Sequence, residues 1–318
     1  MPARGPIGAA ASTLGRWTPP WRRRALESRL VWILGSPRSG SSWLHSLLAA
    51  ADGTVAIDEP TVGLHLGVLT MDYAGVQPAR VPESRVRVNE LRADLDSYFF
   101  SNRYAPVWRP LLRRLLLGRL DAEVRDLAAR ERVRDPLVLI KEPTGSQGAD
   151  IILSATPRSR MIFLLRDGRD VLDSELDSFS RGGWIADQIP DFALSPDDRR
   201  EFLNARAHAW LYRTRVVQHA FADHPPELRF LVRYEDLLDD TEGIVGELSG
   251  WLGLGRSVEE VAGVVDALAF ERINADDRGR GQFARAAKPG LWRRNLSPAE
   301  QDLIAGIIGP KLEELGYP

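Results

Sequence analysis

The sequence "ILGSPRSGSSW" at residues 33–43 decides the fold, because an apolar run leads into a loop between two glycines and then into the start of a helix. Gly35 and Gly40 match the glycines of a phosphate-binding loop, G-x-x-x-x-G-K-[ST]. Ser41 stands where a nucleoside triphosphatase has the lysine that reaches the γ-phosphate, and the cation of the loop is Arg38. The pattern therefore predicts an anion-binding loop that differs from the loop of a triphosphatase.

Short apolar runs predict the strands of a sheet, at residues 30–34, 137–141, 161–165 and 228–232. None of them alternates with polar residues, which is typical of strands that are covered on both faces of a parallel sheet. Helical periodicity lies between and after them, at residues 41–51, 84–96, 120–132, 146–154, 169–180, 198–222, 236–252, 257–268 and 298–314. This alternation predicts an α/β fold, a single P-loop-like domain whose central parallel sheet is flanked by helices.

The composition along the chain predicts its organisation. Residues 1–28 read as a flexible N-terminal arm, and residues 29–318 as one domain. Residues 60–135 have few strand signals and many aromatic residues and arginines, which predicts a helical and aromatic insertion over the ligand-binding edge of the sheet. Residues 270–297 are rich in Gly, Arg and Ala, and we expect them to form a flap that covers a cofactor.

The overall composition excludes several classes of protein. The chain has 318 residues and a formal net charge of −2, so no global field favours nucleic acid as a partner. It has no Cys, which excludes a disulfide framework and a cysteine nucleophile. No apolar run approaches the ~18 residues that span a bilayer, and the N-terminus lacks the apolar core of a signal peptide. We therefore expect a cytoplasmic protein without stable membrane insertion.

Two further features of the composition concern the source and the arm. The bias towards Arg, Ala, Gly and Leu indicates a GC-rich genome, and we expect a bacterial protein. Trp17, Trp21 and the basic run at residues 22–24 leave contact with a membrane or a partner as an alternative for the arm.

A second anion site is predicted in "FLLRDGRD" at residues 163–170. Arg166 stands at the end of this apolar run, where a triphosphatase strand places an aspartate that binds the metal. An arginine offers two parallel donors to a phosphate group. The strand end therefore predicts another anion site and argues against a metal.

These two segments resemble motifs of the sulfotransferases that use 3′-phosphoadenosine-5′-phosphosulfate (PAPS). "GSPRSGSSW" resembles the loop that binds the 5′-phosphosulfate, and "RDGRDVLDS" resembles the 3′-phosphate motif. The family motif has an Arg and a Ser eight residues apart, which is the spacing of Arg166 and Ser174. "LVRYEDLL" at residues 231–238 resembles the family's Tyr-Glu-Asp element, whose tyrosine lies near the adenine and matches Tyr234.

The C-terminal cofactor loop of the family, R-K-G-x-x-G-x-W, has its counterpart in "RAAKPGLWRRN" at residues 285–295. Arg285, Gly290 and Trp292 match this loop, whereas Ala286 and Ala287 replace its Lys-Gly. The order of all four blocks along the chain is that of the family.

The resemblance implies PAPS as the sulfuryl donor, 3′,5′-ADP as its product and no metal. It implies an enzyme that transfers the sulfuryl group to a hydroxyl or phenol by in-line displacement, with a carboxylate as general base. The residues that it assigns to the cofactor are Ser36, Pro37, Arg38, Ser39, Gly40, Ser41, Ser42, Trp43, Arg166, Ser174, Tyr234, Arg285 and Gly290. Arg38 also stabilises charge that develops during transfer.

The general base differs from that of the small-molecule branch of the family, which has Lys-Thr-His after a strand. In "IKEPTGS" at residues 140–146, Lys141 matches, and we expect it to stabilise the bridging oxygen or the sulfuryl group. Glu59 lies twenty-one residues after Arg38, an offset similar to that of the catalytic glutamate in tyrosylprotein sulfotransferases. Glu59 is therefore the first candidate for the base, and burial would have to raise its pKa. His65 and Glu142 remain alternatives.

The acceptor is less clearly indicated. The aromatic residues of "DSYFFSNRYAPVW" at 96–108 form either a wall of the acceptor pocket or an ordinary core face, and "FSRGGWIADQ" at 179–188 is a further candidate for the pocket edge. A small hydroxylated molecule or lipid-like alcohol, a sugar and a peptide tyrosine all remain open as acceptors, and a small molecule is favoured. A P-loop kinase or nucleotide hydrolase, and a non-catalytic nucleotide-binding module, are the alternative functions.

Overall fold

The computed structural model of the protein describes residues 19–66, 99–188, 194 and 198–318. Its strands form one parallel sheet in the order β2-β3-β1-β4-β5. Their bounds are β1 Leu30–Gly35, β2 Thr54–Asp58, β3 Leu137–Lys141, β4 Arg160–Leu165 and β5 Arg229–Arg233.

Helices cover both faces of this sheet and confirm the predicted α/β architecture. The first group consists of α1 Pro20–Glu27, α2 Ser41–Ala49, α3 Val62–Leu66, α4 Ala105–Glu131, α5 Ala149–Ala155 and α6 Gly168–Phe179. The second group consists of α7 Arg199–Asp223, α8 Tyr234–Asp239, α9 Thr241–Leu252, α10 Val258–Ala267, α11 Trp292–Asn295 and α12 Pro298–Glu314. Within the described ranges, no helix has the length and the apolar character needed to cross a membrane.

The central strand β1 divides the core, because its successive side chains point to opposite faces of the sheet. Trp32 packs into a core with residues of α7 and α12, whereas Val31 and Ile33 pack into a second core with residues of α2 and α9. All three side chains are fully buried. Burying each large apolar side chain stabilises the fold by roughly 1.5–3 kcal/mol, so both layers of helices are fastened to the same strand.

The carboxyl ends of the strands meet at one edge of the sheet, which is where open α/β sheets bind ligands. The phosphate-binding loop follows β1 directly. Arg166 follows β4, and Tyr234 follows β5. At the other side of this edge, Asp58 at the end of β2 is paired with Lys141 at the end of β3. The fold thus brings the phosphate-binding loop, Arg166, Tyr234 and Lys141 to a single edge of the sheet.

The arm prediction is corrected in its last part, since residues 20–27 form α1. Leu26 and Glu27 are buried there, and Glu27 accepts hydrogen bonds from Arg113. Arg22 Nε also lies 3.0 Å from Asp121 Oδ1 on α4. These ion pairs fix α1 on α4, which the arginine-rich sequence by itself does not reveal. Residues 1–18 lie outside the described residues.

Other elements differ from the predictions in their extent. The predicted helix at 120–132 begins at Ala105, because prolines near its start are tolerated in a helix supported by buried leucines. The predicted helix at 236–252 is two helices, α8 and α9, that are separated by Asp240. Strand β2 has no counterpart among the predicted strands. The predicted helix at 84–96 lies outside the described residues.

Candidate active site

The phosphate-binding loop is shaped by its second glycine. Gly40 caps α2 with a φ of 88°, a left-handed conformation that side chains disfavour. A Cβ atom at this position would lie 2.4 Å from the Tyr234 ring, so the loop and the start of α8 are in close contact. Within the described residues, the buried hydroxyls of Ser36 and Ser39 have no hydrogen-bond partner. The loop therefore carries buried polar groups that remain to be satisfied.

Arg38 connects this loop to two other segments. Its Nε donates to Ser174 Oγ at 3.0 Å, and its Nη2 donates to the Phe283 carbonyl at 2.9 Å. The guanidinium also lies 5.2 Å from the centroid of the Phe283 ring and 5.7 Å from that of Trp184. Burial, with a further contribution from the nearby charge of Arg166, lowers the pKa of Arg38 to about 10. A partly buried cation thus joins the two predicted phosphate motifs.

Arg166 lies directly behind the loop. Its Nη1 donates to the Arg38 carbonyl at 2.6 Å, and its guanidinium carbon lies 4.3 Å from the centroid of the Tyr234 ring. Its buried Nε has no hydrogen-bond partner among the described residues. Burial raises the pKa of Tyr234. Arg166 therefore braces the loop and keeps one buried donor for a ligand.

Acidic residues on α6 fasten the segment predicted to cover the cofactor. Asp173 pairs with Arg285, and Asp170 Oδ2 accepts a hydrogen bond from the Gly290 amide at 2.7 Å. Burial raises the pKa of Asp170. The side chain of Arg285 is only 12% exposed, and its guanidinium is held against the same helix that carries Ser174. These contacts bring the C-terminal segment to the second phosphate motif.

A carboxylate and a lysine lie together where β2 and β3 end. The buried Lys141 Nζ is 3.3 Å from Glu59 Oε1 and 2.7 Å from Asp58 Oδ1, and it donates to Ser42 Oγ at 2.9 Å. Thr144 Oγ1 donates to Glu59 Oε2 at 2.5 Å. Glu59 keeps 33% of its side-chain surface exposed. Lys141 thus bridges the phosphate-binding loop and a carboxylate that is partly open to solvent.

The two alternative bases occupy different surroundings. Glu142 is completely buried, and its carboxylate accepts hydrogen bonds from the amides of Thr61 at 2.9 Å and Gly63 at 3.0 Å. Burial raises the pKa of Glu142 to about 7. His65 is exposed on α3. Neither Glu142 nor His65 lines the cavity at this edge of the sheet.

This cavity has a volume of about 900 Å³ and is bounded by both phosphate motifs and by the C-terminal segment. The predicted residues that line it are Glu59, Pro37, Arg38, Gly40, Ser41, Ser42, Trp43, Arg166, Ser174, Tyr234 and Arg285. Ser36, Ser39 and Gly290 lie behind the lining, and Lys141 reaches it through its contacts with Ser42 and Glu59.

Three contacts among the lining residues were not predicted from the sequence. Thr144 lies in the "IKEPTGS" segment, yet its contact with Glu59 depends on the pairing of β2 with β3. Trp43 Nε1 donates to the Leu268 carbonyl at 3.0 Å, which joins α2 to the segment after α10. Phe283 packs edge-on against Trp184, with their ring centroids 5.2 Å apart. No local spacing relates these pairs, which are far apart in the chain.

The aromatic stretch at residues 96–108 lies elsewhere. Trp108 is buried, and its Nε1 donates to the Ser101 carbonyl at 2.9 Å. Phe100 packs edge-on against Trp108, with a centroid distance of 5.3 Å. Neither these residues nor Phe99 and Tyr104 line the cavity, and Tyr98 lies outside the described residues. Phe100 and Trp108 therefore belong to a satellite core around the start of α4, whereas Phe99 and Tyr104 are exposed.

Comparison with known proteins identifies relatives of this architecture. The model of the family described as "Sulfotransferase family" matches residues 31–257. The solved structure of sulfotransferase STF9 from Mycobacterium avium has 14% sequence identity and a TM-score of 0.51, with 91% of this chain and 77% of that chain covered. This likeness shows the fold alone.

Two further solved structures are similar at lower scores. Retinol dehydratase in complex with androsterone and the inactive cofactor PAP has 18% identity and a TM-score of 0.48, with 90% of this chain and 81% of that chain covered. The sulfotransferase domain from the curacin biosynthetic pathway has 17% identity and a TM-score of 0.45, with 91% and 97% covered. No curated protein matches the chain.

Proposed function

This chain belongs to the sulfotransferase family, and from that premise we propose that it transfers a sulfuryl group from PAPS to the hydroxyl of a small molecule. The observation that carries the proposal is the contact between the two phosphate motifs. Arg38 Nε of the first motif donates to Ser174 Oγ of the second at 3.0 Å, inside one cavity. A nucleotide with phosphate groups at both its 5′ and 3′ positions requires two anion sites in such proximity. An ordinary nucleoside triphosphate requires only one.

The buried polar groups of the cavity fit this donor. Ser36, Ser39 and Arg166 each keep a buried polar atom without a partner in the described structure, and such atoms are costly unless a ligand or water satisfies them. Backbone amides at the start of α2 add donors for an anion. We assign the loop to the 5′-phosphosulfate and assign Arg166, Ser174 and Arg285 to the 3′-phosphate.

The reaction requires a proton acceptor for the hydroxyl of the acceptor molecule. When bound, PAPS supplies the sulfuryl group, whose bond to the bridging oxygen breaks as the acceptor oxygen bonds to sulfur. Glu59 lines the cavity and is open to it, so its carboxylate takes the proton of the hydroxyl. Glu142 has both carboxylate oxygens engaged by backbone amides, and His65 lies outside the lining. The geometry favours Glu59 among the three.

Lys141 stabilises the negative charge that develops near the loop during transfer. Its Nζ contacts Ser42 in the loop and Glu59, so one ammonium group lies between the loop assigned to the phosphosulfate and the carboxylate assigned as base. A preorganised cation in a partly buried site stabilises developing negative charge more strongly than water does. Arg38 contributes a second fixed cation at the same loop, and its contact with Ser174 fixes its orientation.

The two alternative functions make different demands on these residues. A kinase or nucleotide hydrolase needs a metal-binding acid at the end of β4, where this chain has Arg166. A non-catalytic nucleotide-binding module has no need for a carboxylate that is open to the cavity, as Glu59 is. Both features support the transferase.

The proposal is tested with PAPS labelled in its sulfuryl group. The labelled donor is incubated with the protein and a panel of small alcohols and phenols, with a sugar and a tyrosine peptide as further members. We expect label in at least one small-molecule acceptor and release of 3′,5′-ADP. Turnover of ATP with Mg²⁺ in place of PAPS would support the kinase alternative. Binding of 3′,5′-ADP without transfer to any acceptor would support the non-catalytic module.

A further inference from the structure

The buried carboxylate of Glu142 lies beneath the turn that presents Glu59. Glu142 follows β3, and its own amide donates to the Ile33 carbonyl of β1 at 2.9 Å, which ties its backbone to the centre of the sheet. Its two oxygens accept from different amides of the turn, Oε2 from Thr61 at 2.9 Å and Oε1 from Gly63 at 3.0 Å. Glu142 therefore joins the sheet to the turn after β2.

This turn has an unfavourable backbone conformation. Glu59 has a φ of 41° and Thr61 a φ of 55°, both in the left-handed region, and Pro60 lies between them. Residues other than glycine occupy this region only when their surroundings hold them there. The Glu59 amide donates to the Lys141 carbonyl at 2.9 Å, which extends the β2–β3 ladder by one residue. Beyond that bond, the two hydrogen bonds to Glu142 oppose relaxation of the turn.

Three glycines allow the backbone to pack tightly beside this carboxylate. A Cβ at Gly145 would lie 1.8 Å from Glu142 Oε1, and a Cβ at Gly63 would lie 1.7 Å from the Gly145 carbonyl oxygen. A Cβ at Gly148 would lie 2.7 Å from the Gly63 Cα. Backbone packs against backbone at this point, so the carboxylate cannot shift without moving the turn. The junction is rigid in a way that an exposed ion pair is not.

We infer that Glu142 is a positioning residue, whose carboxylate clamps the turn at Thr61 and Gly63 and so fixes the direction in which Glu59 faces the cavity. The inference rests on the proposed function, because Glu59 is the base of the proposed reaction. Thr144, two residues after Glu142, donates to Glu59 Oε2 and orients its carboxylate from the side. One short segment after β3 thus holds both the backbone and the side chain of Glu59.

The clamp has a pH dependence that can be observed. Burial raises the pKa of Glu142 to about 7, and the charge of Glu59 contributes in the same direction. The carboxylate form accepts from both amides. Protonation converts one acceptor oxygen into a hydroxyl, so the clamp is complete above this pKa and weakened as the pH falls through it. Lys141 is the adjacent cation, and it pairs with Glu59 and Asp58.

The test follows the amide resonances of Thr61 and Gly63 by NMR while the pH is varied, in the wild type and in Glu142→Gln. We expect both resonances to titrate with a midpoint near pH 7 in the wild type and to lose this titration in the variant. Turnover should fall about 10–100-fold in Glu142→Gln through misplacement of the base, with unchanged affinity for 3′,5′-ADP. Absence of the titration in the wild type would overturn the inference.

Glu27→Gln is the matched control, since Glu27 is also completely buried and accepts from the Arg158 amide at 3.0 Å, away from the cavity. It should lower stability and leave turnover per folded molecule unchanged. Glu142→Asp keeps the carboxylate and should recover part of the turnover that Glu142→Gln loses. Wild-type turnover in Glu142→Gln, or no recovery in Glu142→Asp, would overturn the inference.

The amide titration is independent of catalysis, so the two proposals fail in different ways. If the wild type transfers no sulfuryl group, or if Glu59→Gln keeps its turnover, the proposed reaction or its base is wrong, while the titration still tests the clamp. If transfer and the loss in Glu59→Gln are both observed but the amides of Thr61 and Gly63 do not titrate, the clamp is wrong.

Discussion

The two ends of the cavity differ in how their functional groups come together. At the nucleotide end, Arg38 and Ser174 each lie in a compact motif that can be recognised in the sequence by its resemblance to a family motif. At the carboxylate end, Glu59 and Lys141 come from the ends of two strands and become one unit only because β2 pairs with β3. The first end is cationic and suited to phosphate groups, and the second combines carboxylates with one lysine. The phosphate motifs common to the family can therefore be recognised in short stretches of sequence, whereas the contact between Glu59 and Lys141 depends on tertiary structure.

The largest effect is expected from removing the base at the carboxylate end. Glu59→Gln keeps the shape of the side chain and removes its basicity, so turnover should fall by about 10²–10⁴-fold. The affinity for 3′,5′-ADP should stay the same, because Glu59 lies apart from the arginines that we assign to phosphate. Steady-state kinetics and calorimetry measure the two quantities. Full activity in Glu59→Gln together with loss of activity in His65→Ala would transfer the role of base to His65.

The next effect is expected at the nucleotide end. Arg166→Ala removes a charge-assisted contact with the 3′-phosphate, which we expect to cost about 1.5–3 kcal/mol, or roughly tenfold to more than a hundredfold in affinity for 3′,5′-ADP. Calorimetric titration with 3′,5′-ADP and with 5′-AMP measures the change.

Arg169→Ala is the matched control for Arg166→Ala. Arg169 pairs with Asp167 and lies 4.4 Å from the centroid of the Trp292 ring, outside the cavity lining. Its removal should leave the preference for 3′,5′-ADP over 5′-AMP intact. A similar loss of that preference in both variants would mean that Arg166 acts through general electrostatics and not through a specific contact.

A smaller effect is expected from the glycine that shapes the phosphate-binding loop. Gly40→Ala places a methyl group 2.4 Å from the Tyr234 ring, in addition to the cost of its positive φ. Gly53→Ala has a similar φ of 79° and open space around the added Cβ. The overlap should make Gly40→Ala less stable than Gly53→Ala by about 1–3 kcal/mol. Equal losses in urea denaturation would show that Tyr234 moves away without cost.

No effect is expected from removing divalent metal ions. Charge at the nucleotide end is supplied by arginines, and the end of β4 carries Arg166 in place of an acid. Sulfuryl transfer should therefore keep its full rate in EDTA. Loss of activity in EDTA and its return with Mg²⁺ would contradict anion sites that work without a metal ion and would favour the kinase alternative.

The sequence predicts much of the fold because its central strands are buried on both faces. Strands β1, β3 and β4 are such continuous, buried apolar runs, whereas the fourth predicted run forms the edge strand β5, which is only partly buried. Strand β2 was missed because "TVAID" is short and carries polar residues at both of its ends. Helix α1 was read as part of an arm because its contacts are with distant parts of the chain: Arg22 pairs with Asp121 of α4, and Leu26 is buried in the core.

In the candidate site, too, some residues could be predicted from the sequence, whereas others depend on contacts with distant parts of the chain. The phosphate motifs were assigned from their resemblance to motifs of the sulfotransferases, and in the structure Arg38, Arg166 and Ser174 line one cavity. The surroundings of Glu142 were not predictable, since its partners at Thr61 and Gly63 lie about eighty residues away and are backbone amides. A backbone donor leaves no mark in the sequence, and only the pairing of strands reveals such contacts.

Calorimetric titration of the wild-type protein with 3′,5′-ADP, 5′-AMP and ATP with Mg²⁺ tests the central claim most directly, because it asks whether the cavity has two phosphate sites. The junction of Arg38 with Ser174 predicts that 3′,5′-ADP binds more tightly than 5′-AMP by about tenfold to a hundredfold or more, and more tightly than ATP with Mg²⁺. Equal affinity for 3′,5′-ADP and 5′-AMP, or a preference for ATP with Mg²⁺, would contradict the claim.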